Sequence, residues 1–296
     1  MKKDHVENTV GPWVARKLDA LEKYLEFYTL ALSKQKFTRI YIDAFAGSCV
    51  SKVRGSSASV GPLLEDEDFE AADQFVLGSP LRALNVAHGF HRHYFFDLDP
   101  RRAETLRSLA EAFPGKDIRV QVGDANPLIR ELAKGLHGWN TKGIAFLDPY
   151  GAHLEWATVE ALAATKNIEV IINFPIAMAI NRLIKRSGDV PENWSDQLNR
   201  CFGTEEWRNI AYTVETDLFG NEVPQKTGGV ADRLLDLYMN RLNEIFPHVA
   251  TPHLICNTRN GPLYYLIWAG PNKLGLKGAD YILSQGKKVS RTRSRR

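Results

Sequence analysis

The chain has 296 residues, with 38 Lys and Arg against 35 Asp and Glu and a formal net charge of +3. That length is enough to bury a full core, and no apolar run approaches membrane-spanning length. The opening Met1-Lys2-Lys3-Asp4-His5 has none of the character of an apolar signal segment.

The positive balance is local. Lys287, Lys288, Arg291, Arg293, Arg295 and Arg296 carry six positive charges, which leaves the rest of the chain at −3. Cys49, Cys201 and Cys256 are far apart and show neither metal-ligand spacing nor a disulfide framework, so a reducing, cytoplasmic setting without a bound metal is expected.

Residues 13–35 predict a helix. Val14, Leu18, Leu21, Leu25, Tyr28 and Leu32 recur at alternating four- and three-residue steps, and Gly11-Pro12 marks the start. This helix reads as packed on a sheet, with no chemistry of its own. A β-rich run, Ile40 to Ala44, follows, and Ala46, Gly47 and Ser48 make a tight turn that lets a ligand approach the backbone. Neither GxGxxG nor GxxxxGK[ST] is present.

Residues 50–79 read as a long exposed insertion, first rich in Ser and Gly and then acidic. It leaves the first strand at its carboxyl end, so a lid and a solvated insertion are both consistent with it. Ser79-Pro80 starts a short helix. The alternation then resumes with strands at 93–97, 118–122, 143–148 and 168–172. Their ends are Asp97-Leu98-Asp99-Pro100, Gly123-Asp124, Asp148-Pro149-Tyr150-Gly151 and Asn173-Phe174-Pro175. Helical patterns dominate 176–250. Two late strands straddle Asn260-Gly261, an antiparallel hairpin signal. The final helix ends near Leu283, and 286–296 reads as a basic disordered tail.

Strands alternating with helices imply right-handed crossovers and a parallel sheet. Five such strands followed by an antiparallel pair match a Rossmann-like class I methyltransferase fold. The expected architecture is a mostly parallel seven-stranded sheet with a C-terminal antiparallel hairpin and a helical insertion. One α/β domain over 1–285 is predicted, followed by the tail.

Four successive strands end in acids, at the sheet edge where open α/β sheets bind ligands. The spacing suits S-adenosylmethionine. Asp97 would accept the ribose hydroxyls and Asp124 the adenine amino group, with Asp43, Gly47 and Ser48 near the methionine moiety. Asp99 caps the helix opened by Pro100. Asp148 and the Pro149 carbonyl would accept hydrogens from a planar exocyclic amine, with Tyr150 stacking on its base. Such a base must be single-stranded or flipped out of a duplex. Cytosine carbon-5 methylation is disfavoured, because no Pro-Cys dipeptide supplies a thiol nucleophile. Cys49 reads as a small packing residue and His153 as a surface histidine. Lys287, Lys288, Arg291 and Arg293 would hold nucleic-acid phosphates.

Taken together the chain resembles the three-Cys-motif partner family, TcmP. The resemblance rests on Asp4-His5, the helix from Trp13 to Tyr28, Tyr41-Ile42-Asp43-Ala44-Phe45-Ala46-Gly47 and Gly78-Ser79-Pro80-Leu81-Arg82. Further on it includes Phe96-Asp97-Leu98-Asp99-Pro100, Phe146-Leu147-Asp148-Pro149-Tyr150-Gly151, Asn173-Phe174, Phe202-Gly203-Thr204-Glu205-Glu206-Trp207 and Tyr264-Tyr265. It implies an S-adenosylmethionine-dependent methyltransferase, with a three-Cys-motif, radical-type protein as partner and RNA or DNA as acceptor. The alternative it leaves is a catalytically inactive scaffold that binds the same partner.

Overall fold

The computed structural model describes residues 8–53, 75–216 and 221–291. A short strand, β1 (Asn8–Val10), leads into helix α1 (Trp13–Ala31), which buries Leu18, Leu21, Leu25 and Tyr28 of the stripe read from the sequence, with Tyr24 beside them. Next come β2 (Thr38–Asp43), β3 (Val50–Val53) and β4 (Phe75–Leu77). Four βα steps then follow in regular alternation. They are α2 (Ser79–Asn85) and β5 (Arg92–Asp97), α3 (Pro100–Ala112) and β6 (Asp117–Val122), α4 (Ala125–Lys134) and β7 (Thr141–Leu147), and α5 (Trp156–Ala164) and β8 (Ile168–Phe174).

Beyond β8 lie a π-helical turn (Ile176–Ile180), α6 (Asn181–Leu183), α7 (Glu192–Phe202) and α8 (Trp207–Ala211). The hairpin β9 (Tyr212–Thr216) and β10 (Glu222–Lys226) precedes α9 (Val230–Ile245). The chain closes through β11 (His248–Val249), β12 (His253–Cys256), β13 (Pro262–Gly270) and α10 (Lys273–Arg291).

The main sheet runs β11-β13-β8-β7-β2-β5-β6, with β12 also paired to β13. The five strands from β6 to β8 are parallel. β13 is antiparallel to β8, and β11 and β12 are antiparallel to β13. The sheet is therefore mixed and has eight strands where seven were expected. The extra strand comes from a broken edge, since Pro252 has no N–H to continue a ladder between β11 and β12.

Side chains alternate across the sheet. Ile40, Ile42, Phe96, Leu147 and Ile172 face the α4, α5, α7 and α9 layer, whereas Tyr41, Phe95, Phe146, Ile171 and Trp268 face α1, α2 and α10. Both faces are covered, as a parallel sheet requires.

Three expectations need correction. The ends of the 50–79 insertion are strands rather than loop: β3 pairs antiparallel with β4 and parallel with β1 in a separate three-stranded sheet. Residues 54–74 lie outside the described residues. The 176–250 region is not wholly helical, because β9 and β10 form an antiparallel pair. The last helix runs to Arg291 rather than ending near Leu283. Gly286 within it costs a helix only about 1 kcal/mol relative to alanine, which does not by itself terminate one. Among the described residues no helix is long and apolar enough to cross a membrane.

Candidate active site

In a strand order of β6-β5-β2-β7-β8 the direction of winding reverses between β2 and β7. Ligands of open α/β sheets bind outside the carboxyl ends of the strands at such a switch. Asp43 closes β2, and Asp148 follows the last residue of β7, so the two acids flank the switch. Asp97 ends β5, and Asp124 stands at the N-cap of α4 after β6. The fold thus gathers all four predicted strand-end acids at one sheet edge.

Each acid has a distinct environment. Asp148 is paired with the Lys17 ammonium of α1, and its Oδ1 accepts a 2.6 Å hydrogen bond from Asn173 Nδ2 at the end of β8. The Lys17 side chain is 8% exposed and that of Asp148 22%. The ammonium also lies 5.5 Å from the Tyr264 ring centroid and 5.9 Å from that of Phe146. The Tyr264 hydroxyl and Asn173 Oδ1 are buried and have no partner among the described residues. Burial and the Asp148 charge push the Tyr264 phenol upward. Pro149 is buried, and Tyr150 is 90% exposed. Gly151 takes φ +76°, the left-handed geometry that turns the chain away from the strand.

Asp97 is locked to its surroundings. It accepts hydrogen bonds from Gly47 N (2.9 Å) and Asp99 N (2.7 Å), and the Arg102 guanidinium grips it at 2.8–3.0 Å. Gly47 adopts φ +62°, and an added Cβ there would meet only the Phe45 carbonyl oxygen, at 3.7 Å, so the turn is open on that side. Leu98, beside Asp97, is 70% exposed.

Asp124 is exposed, and its Oδ1 accepts from Asn126 N at 2.9 Å and Nδ2 at 3.1 Å. Asp99 caps α3 through Arg101 N, as expected. Asp43 is fully buried. One of its oxygens accepts from the Tyr41 hydroxyl at 3.1 Å, and the other has no partner among the described residues. Burial pushes its carboxyl up to about 7.

Other expected site residues fall elsewhere. Ser48 is half-buried at the root of the β3–β4 insertion, where its carbonyl oxygen would lie 2.2 Å from a Cβ on Gly78. Cys49 is buried in the apolar cluster that also holds α1 and α2 residues, and burial raises its thiol to about 11, which disfavours a nucleophilic role. His153 is exposed, and its ring nitrogens lie 3.3–3.4 Å from Gln197 Nε2. Lys287, Lys288 and Arg291 lie in the last turns of α10, and Arg293 lies outside the described residues.

Lys17, Asn173, Tyr264, Leu98 and Arg102 are site residues that pattern reading missed. Asn173 and Tyr264 fall inside motifs quoted above, but nothing local gives them a role. The α1 lysine carries a correction: that helix contributes a charge to the site.

No family model matches the chain, and no curated protein matches it. Among solved structures it is similar to the protein LPL1258 from Legionella pneumophila, of the family DUF519. The TM-score is 0.52 at 14% identity, over 95% of this chain and 93% of that one. The chain has a Rossmann-like α/β fold. Two weaker likenesses carry no argument: WbdD (TM-score 0.40, 12% identity, 86% of this chain and 40% of that one) and the putative methyltransferase yhhF from Escherichia coli (0.29, 14%, 69% and 84%).

Proposed function

We propose that this protein is an S-adenosylmethionine-dependent methyltransferase acting on an exocyclic amine of a nucleic-acid base, RNA or DNA. We place it with the three-Cys-motif partner proteins, working beside a three-Cys-motif protein. A dinucleotide-binding Rossmann sheet continues beyond its fifth strand with a parallel sixth. Here that position is taken by the antiparallel β13, which favours the class I methyltransferase type.

The observation that carries the reading is the partly exposed strand-end carboxylate before Pro149. The Asp148 carboxylate, 22% exposed, stands at the switch point, where it can accept an amine hydrogen while Asn173 Nδ2 and Lys17 hold it. Lys17 holds the carboxylate in place, and Tyr150 stands ready as a stacking surface.

The residues suit the cofactor in three respects. The open left-handed Gly47 turn admits close approach, exposed Leu98 offers an apolar face for a purine, and Asp124 has an oxygen beyond its capping bonds. When bound, the cofactor supplies a sulfonium methyl for in-line displacement, which demands alignment above all. Asp148 and the Pro149 carbonyl orient the amine so that its lone pair points at that methyl.

Arg102 favours a second reading. Its grip fills most of the acceptor capacity of Asp97, and ribose hydroxyls reach that acid only if the arginine yields a contact. In the second reading the domain is a catalytically silent scaffold for its partner.

Calorimetric titration with S-adenosylmethionine decides between them. Micromolar binding by the wild type, weakened at least tenfold in Asp97→Ala, is expected, since two hydroxyl hydrogen bonds to a charged acceptor exceed the ~1.4 kcal/mol that tenfold represents. Methyl transfer to single-stranded RNA or DNA, abolished in Asp148→Ala, completes the test. A folded wild type that binds no cofactor, alone or with its partner, leaves the scaffold reading.

A further inference from the structure

The region beyond β8 combines positive charge, an aromatic side chain and nearness to Tyr150. An added Cβ on Gly151 would lie 3.9 Å from Ala179 Cβ, so the π-helical turn rests against the Asp148–Gly151 loop. π-Turns inside helices are frequent at functional sites. This one leads directly into Arg182, Leu183, Ile184, Lys185 and Arg186, with Asp189 as the single acid before Val190.

Several contacts hold this segment in place. Lys226 Nζ on β10 donates to the carbonyl oxygens of Asn181 (2.9 Å) and Ile184 (2.7 Å), and the Tyr212 hydroxyl on β9 donates to that of Lys185 (2.8 Å). These bonds tie the β9–β10 hairpin across the segment. The Lys185 ammonium sits 5.3 Å from the centroid of the half-buried Trp194. Arg182 and Arg186 are exposed, and among the described residues neither forms an ion pair. Burial and the Arg186 charge lower the Lys226 ammonium below the usual lysine range.

We infer that Arg182, Lys185 and Arg186, braced by the hairpin, form the phosphate-binding surface that delivers a single-stranded nucleic acid to Tyr150. The inference rests on the nucleic-acid reading of the site. A cationic track with an aromatic platform is what a flexible strand requires, because its backbone wants guanidinium and ammonium groups while its splayed bases want rings. A duplex cannot offer its bases to Tyr150 without flipping one out. In this inference the surface takes over the role expected of the basic tail: Arg182 follows directly on the π-helical turn that rests against the loop of Tyr150, whereas Lys287, Lys288 and Arg291 lie on α10.

The test is fluorescence anisotropy of the full-length protein with a labelled mixed-sequence single-stranded RNA, the matching DNA and the duplex, at several salt concentrations. The double substitution Arg182→Glu with Arg186→Glu should weaken single-strand binding at least tenfold. It should also flatten the log–log salt slope by about 1.4, at ~0.7 per phosphate contact on a single strand. Both residues are exposed, so circular dichroism and the thermal midpoint should be unchanged. Cofactor titration should match the wild type, which separates this result from the methyltransferase reading. If the wild type binds cofactor but no nucleic acid, the inference fails and the methyltransferase reading loses only its acceptor. If removing 287–296 abolishes binding while the double variant binds normally, the tail holds the phosphates and the inference is overturned.

Discussion

Lys17 and Asp148 are 131 residues apart in the chain and meet as an ion pair between α1 and the end of β7. Asp148→Ala would leave an ammonium almost without water, against Phe146 and Tyr264. Breaking a pair of this kind costs about 3 kcal/mol, whereas replacing both members with apolar residues costs less. In urea unfolding, Asp148→Ala should therefore be clearly destabilised, and Lys17→Met with Asp148→Leu should regain part of the loss. Strict additivity of the two single changes would show that the pair is not coupled. The acids themselves were legible, because a strand-end carboxylate before Pro or after Gly marks the edge of the sheet. Lys17 was not, because a lysine beside the apolar stripe of a helix ordinarily faces solvent. Only local i,i+3 and i,i+4 partners can be read from sequence, and its partner lies in a distant strand. Arg102 shares that difficulty in milder form, since its position one turn into α3 gives no sign that it will fold back onto Asp97.

Elements were most legible where period and punctuation agreed. Every parallel strand of the main sheet falls within a few residues of its expected place, because apolar runs of that length bounded by Gly, Pro and Asp admit little else. The β9–β10 hairpin escaped because Pro224 interrupts its second strand, which ordinarily demotes a run. That proline is tolerated because the pair stands apart from the main sheet, and it packs where an added Cβ on Gly188 would lie, 2.3 Å away. The α10 contact with the sheet shows the reverse case, a small residue needed for close approach. A Cβ on Gly275 would stand 2.6 Å from the Trp268 ring and 2.7 Å from Glu169 Oε1. Gly275→Val should lower stability by about 2 kcal/mol, read as a lower urea midpoint at constant slope. A neutral result would mean that α10 is not pressed against β13.

At the scale of the whole molecule, two carboxyl groups sit on the inner side of the fold with too little compensation for their charge. Burial raises Asp43 to about 7, and it raises Glu169 to about 7 despite donors from Tyr24 at 2.7 Å and Trp268 at 3.3 Å. Between the ordinary carboxylate range and pH 7 the folded chain binds these two protons and the unfolded chain does not, so stability falls as pH rises through that window. Above pH 7 both states are ionised and the loss is complete. His93 opposes this in part. Burial lowers it to about 4, so the unfolded chain takes up its proton first as pH falls below the usual histidine value. Two protons against one leave the net slope downward. The protein should unfold at a higher denaturant concentration at pH 5 than at pH 8, and Glu169→Gln should shrink the difference. Greater stability at pH 8 would show that these acids are hydrated in the native state.

The pinch at the base of the β3–β4 insertion bears on how this fold can change over evolutionary time. Val50 lies opposite Leu77, and Gly78 N donates to the Cys49 carbonyl at 2.7 Å, so the chain enters and leaves at one point. A side chain on Gly78 would collide with the Ser48 carbonyl oxygen, which makes this glycine the hinge pin of the closure. Because the ends are already joined, each doubling in the length of chain between them costs only about 0.6 kcal/mol in closure entropy. The length of chain that joins β3 to β4 is thus only weakly constrained by closure. Changes of length between Val53 and Phe75 therefore leave the register of the main sheet untouched.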